Sequence, residues 1–349
     1  MIVNYPRMRR RRETWPDNLD TALQFTSPNP FSISAPLKWD GKIEYCNGAG
    51  WQEWDGSAIV SGEIESDNYI YFRGTGNTKI TGAAYFTYWK SSGSNIACNG
   101  SIELLLDWKT VKNGMHPIMA EYCFTNLFSN WKGLTTAPLL PATTLSDDCY
   151  ARMFEGCTGL TAAPSLPATT LSIRCYQYMF HNCTGLTAAP SLPATKLGGN
   201  CYSSMFEGCT GLTAAPSLPA TALKAGCYSN MLRNCTGLTA APSLPATKLE
   251  SSCYSAMFLG CAGLTAAPSL PATALKSRCY QRMFEGCSKI KLSAVATGAY
   301  SKAYRIPANG TGTTDTNAML NMFDSTGGTF TGTPEINTTY YLDESNTIV

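Results

Sequence analysis

A unit of 26 residues, repeated in tandem, limits what this chain can fold into more than any other feature. From Leu160 to Gly185 it reads LTAAPSLPATTLSIRCYQYMFHNCTG, and it returns from Leu186, Leu212 and Leu238 with few changes. Altered copies start at Leu134 and Leu264. Cysteines mark the period in two columns. The first is Cys123, Cys149, Cys175, Cys201, Cys227, Cys253 and Cys279; the second is Cys157, Cys183, Cys209, Cys235, Cys261 and Cys287. Self-similarity at such a period is the signature of an architecture in which each unit contacts only its neighbours. One unit cannot bury its own apolar side. Stacking would align Leu160, Leu166, Leu171, Cys175, Met179, Phe180 and Cys183 with their equivalents and give the coils one shared interior.

Within the unit, Cys175, Met179 and Cys183 fall at i, i+4 and i+8, with Phe180 beside Met179. This spacing predicts a short helix with one buried face. Gly185, two residues past the last cysteine, suits a helix C-terminal stop. Leu160 to Leu166 reads as an extended segment closed by Pro167. Pro164 and Pro167 recur and donate no backbone hydrogen bond, so strands of only three or four residues are expected. About seven coils at strand spacing would give a stack of roughly 34 Å.

The run Cys-Tyr-x-x-Met-Phe-x-Gly-Cys-Thr-Gly-Leu-Thr resembles the bacterial BspA-type (Treponema-type) leucine-rich repeats, with their Ala-Phe-x-x-Cys-x-x-Leu core. The likeness covers Cys123 to about Ile290. The unit is longer here, 26 residues, and carries a second proline. In this form, with LPAT in every unit, it is similar to repeats in proteins of gut Bacteroidales and their bacteriophages. The resemblance implies surface display and adhesion, and no catalysis. The expected fold is a mixed β/α solenoid, leucine-rich-repeat-like, with a short strand and a short helix per coil and an N-terminal all-β sandwich-like domain.

Fifteen cysteines invite a disulfide reading. Two cysteines of one unit, eight residues apart on a helix, would lie about 12 Å apart and could not bond. Neighbours within a column could approach to about 5 Å. Thirteen column members cannot all pair, however, and pairing would break the equivalence of the coils. No CxxC or CxxH cluster suggests zinc. The twelve at 149, 157, 175, 183, 201, 209, 227, 235, 253, 261, 279 and 287 are therefore read as structural core columns of free thiols.

The ends differ from the repeat. Residues 1–25 hold Arg7 and Arg9, Arg10, Arg11 and Arg12, without which the remaining chain is mildly acidic despite its net charge of +2. This basic extended arm is read as an assembly anchor for other virion proteins, with no specific nucleic acid as partner; a plain tail is the alternative. Residues 26–118 alternate like strands around turns such as Asp40-Gly41 and Asn47-Gly48, as an all-β domain would. Trp51, Trp54 and Trp39 there could stack on sugar rings, or could simply pack in the core. Residues 119–290 are the solenoid. Residues 291–349 read as a degenerate coil, with Met322-Phe323 echoing each Met-Phe pair, followed by a C-terminal β cap.

Function follows from what is repeated and what is missing. There are two histidines, and no GxSxG, HExxH or P-loop, so the chain is read as non-enzymatic, with no catalytic residue, metal or cofactor. No apolar run of about 18 residues predicts membrane insertion, and no secretory signal is seen at the start. Thr161, Ala162, Ala163 and Ser165 hardly vary between copies, whereas Ser172-Ile173-Arg174 and its equivalents do. The stack then acts as a spacer or binds a repetitive ligand such as a glycan polymer. The leading expectation is a bacteriophage virion protein, a head or tail fibre-like component attaching to a host-surface glycan or protein, with homo-oligomers open. The alternatives are a Bacteroidales cell-surface adhesin and a cytoplasmic repeat scaffold.

Overall fold

A computed structural model describes residues 20–36, 39–83 and 88–349. Strand holds 23% of the residues and helix only 3%, and among the described residues that helix is a single element outside the repeat. The strand-plus-helix solenoid read from the spacing is therefore wrong. The apolar columns form, but a different backbone carries them.

Where a helix was expected, each coil is a succession of four-residue turns. Arg174, Tyr178 and Asn182 have φ of 51°, 56° and 59°, in the left-handed region. The same three positions are left-handed in every coil, from Tyr122, Asn126 and Asn130 to Asn317, Asn321 and Ser325. A left-handed residue every fourth position cannot lie in an α-helix. The hydrogen bonds give the physical reason. The N–H groups of Gln177, Met179, His181 and Cys183 close local turns onto the carbonyls three residues back, at 3.0–3.2 Å. The alternate N–H groups of Tyr176, Tyr178, Phe180 and Asn182 reach instead to Cys201, Ser203, Met205 and Glu207 of the next coil, at 2.8–3.0 Å. A helix would spend every donor internally. Here half are exported, and they join one coil to the next.

The expected strand segment also shrinks. With no donor at Pro164 or Pro167, the middle coils keep isolated parallel bridges such as Ala162↔Ala188, Thr170↔Lys196 and Ala222↔Lys248. The turn side, not a strand ladder, carries most of the backbone bonding between coils.

Side chains complete the stack. Phe124, Tyr150, Tyr176, Tyr202, Tyr228, Tyr254 and Tyr280 form one ring ladder with centroids 5.7–6.0 Å apart and planes within 14°. A second ladder, of Phe128, Phe154, Phe180 and Phe206, is interrupted at Leu232 and resumes through Phe258, Phe284 and Phe323. Gly185 is not a helix stop. A Cβ there would lie 2.4 Å from the Thr158 carbonyl oxygen, and Gly159, Gly211, Gly237 and Gly263 make the same close approach to the coil before.

The N-terminal region is not built of strands alone. Strands β1 (Leu23–Ser27), β2 (Ser32–Ser34), β3 (Lys42–Cys46), β4 (Gln52–Glu53), β5 (Ile59–Val60), β6 (Gly62–Ile64), β7 (Asp67–Thr75), β8 (Lys90–Ser92) and β9 (Ile96–Asn99) precede helix α1 (Leu104–Lys112). One sheet runs β9-β1-β7-β3-β4 with β6 on β7, and a smaller one runs β5-β2-β8. The first coil supplies β10 (Leu134–Thr136), parallel to β9, so the larger sheet continues into the repeat. Outward carbonyls of that coil are met by N–H groups of Ile80, Thr81 and Trp89. Gly74 of β7 lets α1 approach, since a Cβ there would fall inside the Leu105 carbonyl.

At the other end β11 (Ala266–Ala267), β12 (Ala274–Leu275) and β13 (Lys291–Ser293) lead to β14 (Tyr300–Arg305) and β15 (Thr313–Thr314). An eighth set of turns at 317–325 then receives the N–H groups of Tyr280, Arg282, Phe284 and Gly286. Strands β16 (Gly327–Gly328), β17 (Thr339–Asp343) and β18 (Thr347–Ile348) follow, with β17 antiparallel to β13 and β14, and β18 parallel to β11. One continuous apolar core joins Leu23 to Leu342.

Candidate functional site

The three tryptophans sit in packed surroundings, Trp54 buried and Trp39 and Trp51 half-buried. Trp54 is 2% exposed, and its Nε1 donates to the Ser57 carbonyl at 2.8 Å. It stacks on half-buried Trp39 at 5.1 Å and meets Trp89 edge-on at 4.8 Å. That is core packing, which explains the richness in aromatics without a ligand. Trp51 is half-buried, with the Arg73 guanidinium 4.0 Å from its centroid and the ring packed against Ala22, Cys46 and Tyr71. Trp108, not foreseen from the sequence, lies 4.9 Å from the same guanidinium, and Arg73 Nε donates to Glu44 at 2.8 Å. Arg73 thus covers one face of the Trp51 ring. Arg9, Arg10, Arg11 and Arg12 lie outside the described residues.

All thirteen column cysteines are buried and free. In the second column the thiol of Cys183 donates to the Phe154 carbonyl of the preceding coil at 3.0 Å, and Cys157, Cys209, Cys235, Cys261 and Cys287 do the same. This accounts for the residue type: a thiol fills an apolar slot and still supplies a weak donor. Burial pushes the thiols up, that of Cys149 to about 12. At neutral pH they are protonated, and thiolate chemistry is suppressed. Among the described residues no group of three or more His, Cys, Asp or Glu side chains is placed to hold a metal ion. None of the described helices is long and apolar enough to cross a membrane.

Charges on the turn side are neutralised between and within coils. Arg174 forks onto Asp148 of the preceding coil, with Nη2 to Oδ2 at 2.8 Å. His181 Nδ1 lies 3.1 Å from Glu155, which also receives Arg152 at 2.8 Å. Arg233 reaches Glu207 at 3.4 Å, and Arg282 pairs with Glu285 at 2.6 Å. His181, half-buried in this ladder, has the role of a coil-to-coil contact.

Two further surfaces stand out. A cleft of about 360 Å³ at the C-terminal end is lined by Asp315, Met319, Leu320, Pro334, Glu335 and Ile336 among others. On the flank where each coil runs from its LPAT segment into the turns, Lys196, Lys224, Lys248 and Lys276 are exposed. None of the four has an ion pair within the described residues. Sequence comparison of the copies marks Lys224 and Lys276 as variable but does not show that Lys196 and Lys248 join them.

No family model, no curated protein and no solved structure matches this chain.

Proposed function

We propose that this chain is a non-enzymatic structural and attachment protein of a bacteriophage virion, a head or tail fibre-like component that displays its stacked coils toward a host-surface glycan or protein. The observation that carries this reading is the coil-to-coil stack, whose buried ring ladders and thiol columns hold the same exposed residues in repeated positions along half the sequence. Each coil is bonded to the next by backbone and rings together. The groups with the most strongly raised pKa values are buried thiols and phenols of these columns, shut off from any substrate. An extended surface that repeats itself suits multivalent contact with a repetitive partner, in which weak identical contacts add.

Two measurements test the proposal. Mass spectrometry of purified virions should find the chain, and the purified full-length protein should adhere to host cells. Absence from virions together with recovery in the bacterial envelope fraction would replace this reading with the cell-surface adhesin.

A further inference from the structure

We infer that the flank bearing Lys196, Lys224, Lys248 and Lys276 is a binding stripe for an extended anionic polysaccharide. The inference rests on the attachment reading and names the class of ligand that surface would take. Residues 119–290 contain eleven Lys and Arg against seven Asp and Glu. The ion pairs consume Arg152, Arg174, Arg233 and Arg282 together with Asp148, Glu155, Glu207 and Glu285. Most of the unneutralised positive charge then lies on this one flank.

The stripe is regular because the coils are. Lys196 pairs in register with Thr170, and Lys248 with Ala222, so the two lysines share a column two coils apart. Lys224 and Lys276 occupy a second column, two residues further along the coil. Between the columns stands a buried leucine, Leu197, Leu223, Leu249 or Leu275, so both exposed columns face the same side. Four successive coils therefore each present one lysine, alternating between two parallel lines. At strand spacing, lysines on one line repeat about every 10 Å. Glu250 stands in the second column, between Lys224 and Lys276, so the stripe sets four lysines against one carboxylate and keeps a net positive charge.

The neighbours decide what kind of polymer fits. Thr169, Thr195, Thr221, Thr247 and Thr273 are exposed alongside. Hydroxyls and ammonium groups suit carboxylated or sulfated sugars. Single-stranded bases need aromatic platforms, and no aromatic residue occupies positions 195–198 or their equivalents 169–172, 221–224, 247–250 and 273–276.

The test is retention of the full-length chain in native affinity electrophoresis through gels containing polygalacturonate, neutral dextran or duplex DNA. Polygalacturonate should retard the protein and dextran should not, with retardation lost as salt rises. The variant K196Q/K224Q/K248Q/K276Q should bind at least about tenfold more weakly at unchanged melting temperature, while K109Q/K112Q in α1 should bind as the parent does. Equal binding by the quadruple variant would overturn the inference, as would tighter retention by DNA than by polygalacturonate. Should the chain adhere to cells without binding polygalacturonate, the stripe falls and the attachment reading stands. Binding to polygalacturonate without adherence to cells gives the reverse.

Discussion

Gly185→Ala tests the turn-built stack at its tightest point. The added Cβ would sit 2.4 Å from the Thr158 carbonyl oxygen and 3.2 Å from that of Leu160. Both are backbone atoms, so no side chain can swing aside. Restoring an ordinary contact needs roughly 1 Å of local separation between two coils whose cross-coil hydrogen bonds are 2.8–3.0 Å long. Bonds stretched by that amount pass beyond useful length. The cost expected is about 1–3 kcal/mol, the range for forcing extra volume into packed structure. Gly199→Ala is the internal control. Its Cβ would meet nothing closer than Ala225 O at 3.7 Å, without the left-handed φ that alanine resists. It should be neutral or stabilise by up to about 1 kcal/mol through the unfolded chain. Urea unfolding followed in parallel by far-ultraviolet circular dichroism and tryptophan fluorescence would measure both, and coincident curves would license the free energies. Amide exchange should place the added fraying of Gly185→Ala at the 158–185 contact. Losses equal within about 0.5 kcal/mol for the two variants would refute the close-approach argument.

Leu232→Phe should join the two halves of the phenylalanine ladder between Phe206 and Phe258, raising stability by about 1 kcal/mol in urea unfolding; a loss of that size would mean that the slot has closed around leucine. The thiols should resist labelling by a disulfide reagent at pH 8 in the native protein and react fully in urea, and rapid native labelling of even one column would contradict their burial. Glu103 is pushed up by burial, partly offset by the His116 imidazole 2.9 Å away. Its native form holds a proton more tightly than the unfolded chain does. Its favourable contribution is therefore complete below the ordinary carboxyl value and lost as pH rises through the raised one. Glu103→Gln should accordingly stabilise at pH 8 more than at pH 4, and the opposite order in thermal melts would reject the assignment. Glu285 has the reverse sign: its hydrogen bonds from Arg282 hold it down, so its contribution exists above the ordinary value and fades as pH falls through the lowered one. Arg282→Gln should erase that small acid-sensitive part, as seen by comparing melts at pH 7 and pH 3.

The columns were legible in the sequence, and the backbone beneath them was not. Cys175, Met179 and Cys183 fit a helix and a chain of four-residue turns almost equally well over eight residues, which is why spacing alone misled. Two signals separate the alternatives. A true 3.6-residue period drifts by roughly 80° between i and i+8, yet the pairs Cys175-Tyr176 and Met179-Phe180 are both buried, each followed by two residues that are half-buried or exposed. Two in and two out, without drift, is a period of four. The second signal is residue type: the left-handed positions in the third turn hold Asn130, Gly156, Asn182, Gly208, Asn234, Gly260 and Gly286, the residues that accept such a φ most readily. Asparagine or glycine every 26 residues, inside the last turn of a supposed helix and before its last buried cysteine, argued against it. The tryptophans are a different case. Composition showed them in one region, but whether a ring faces water depends on long-range partners, Trp89 for Trp54 and Arg73 for Trp51, which no local pattern specifies. The lysine stripe lay between these cases. Its members alternate between two columns, so neither column alone looks basic, and only the buried leucine between them, which turns both outward, makes the four a single surface.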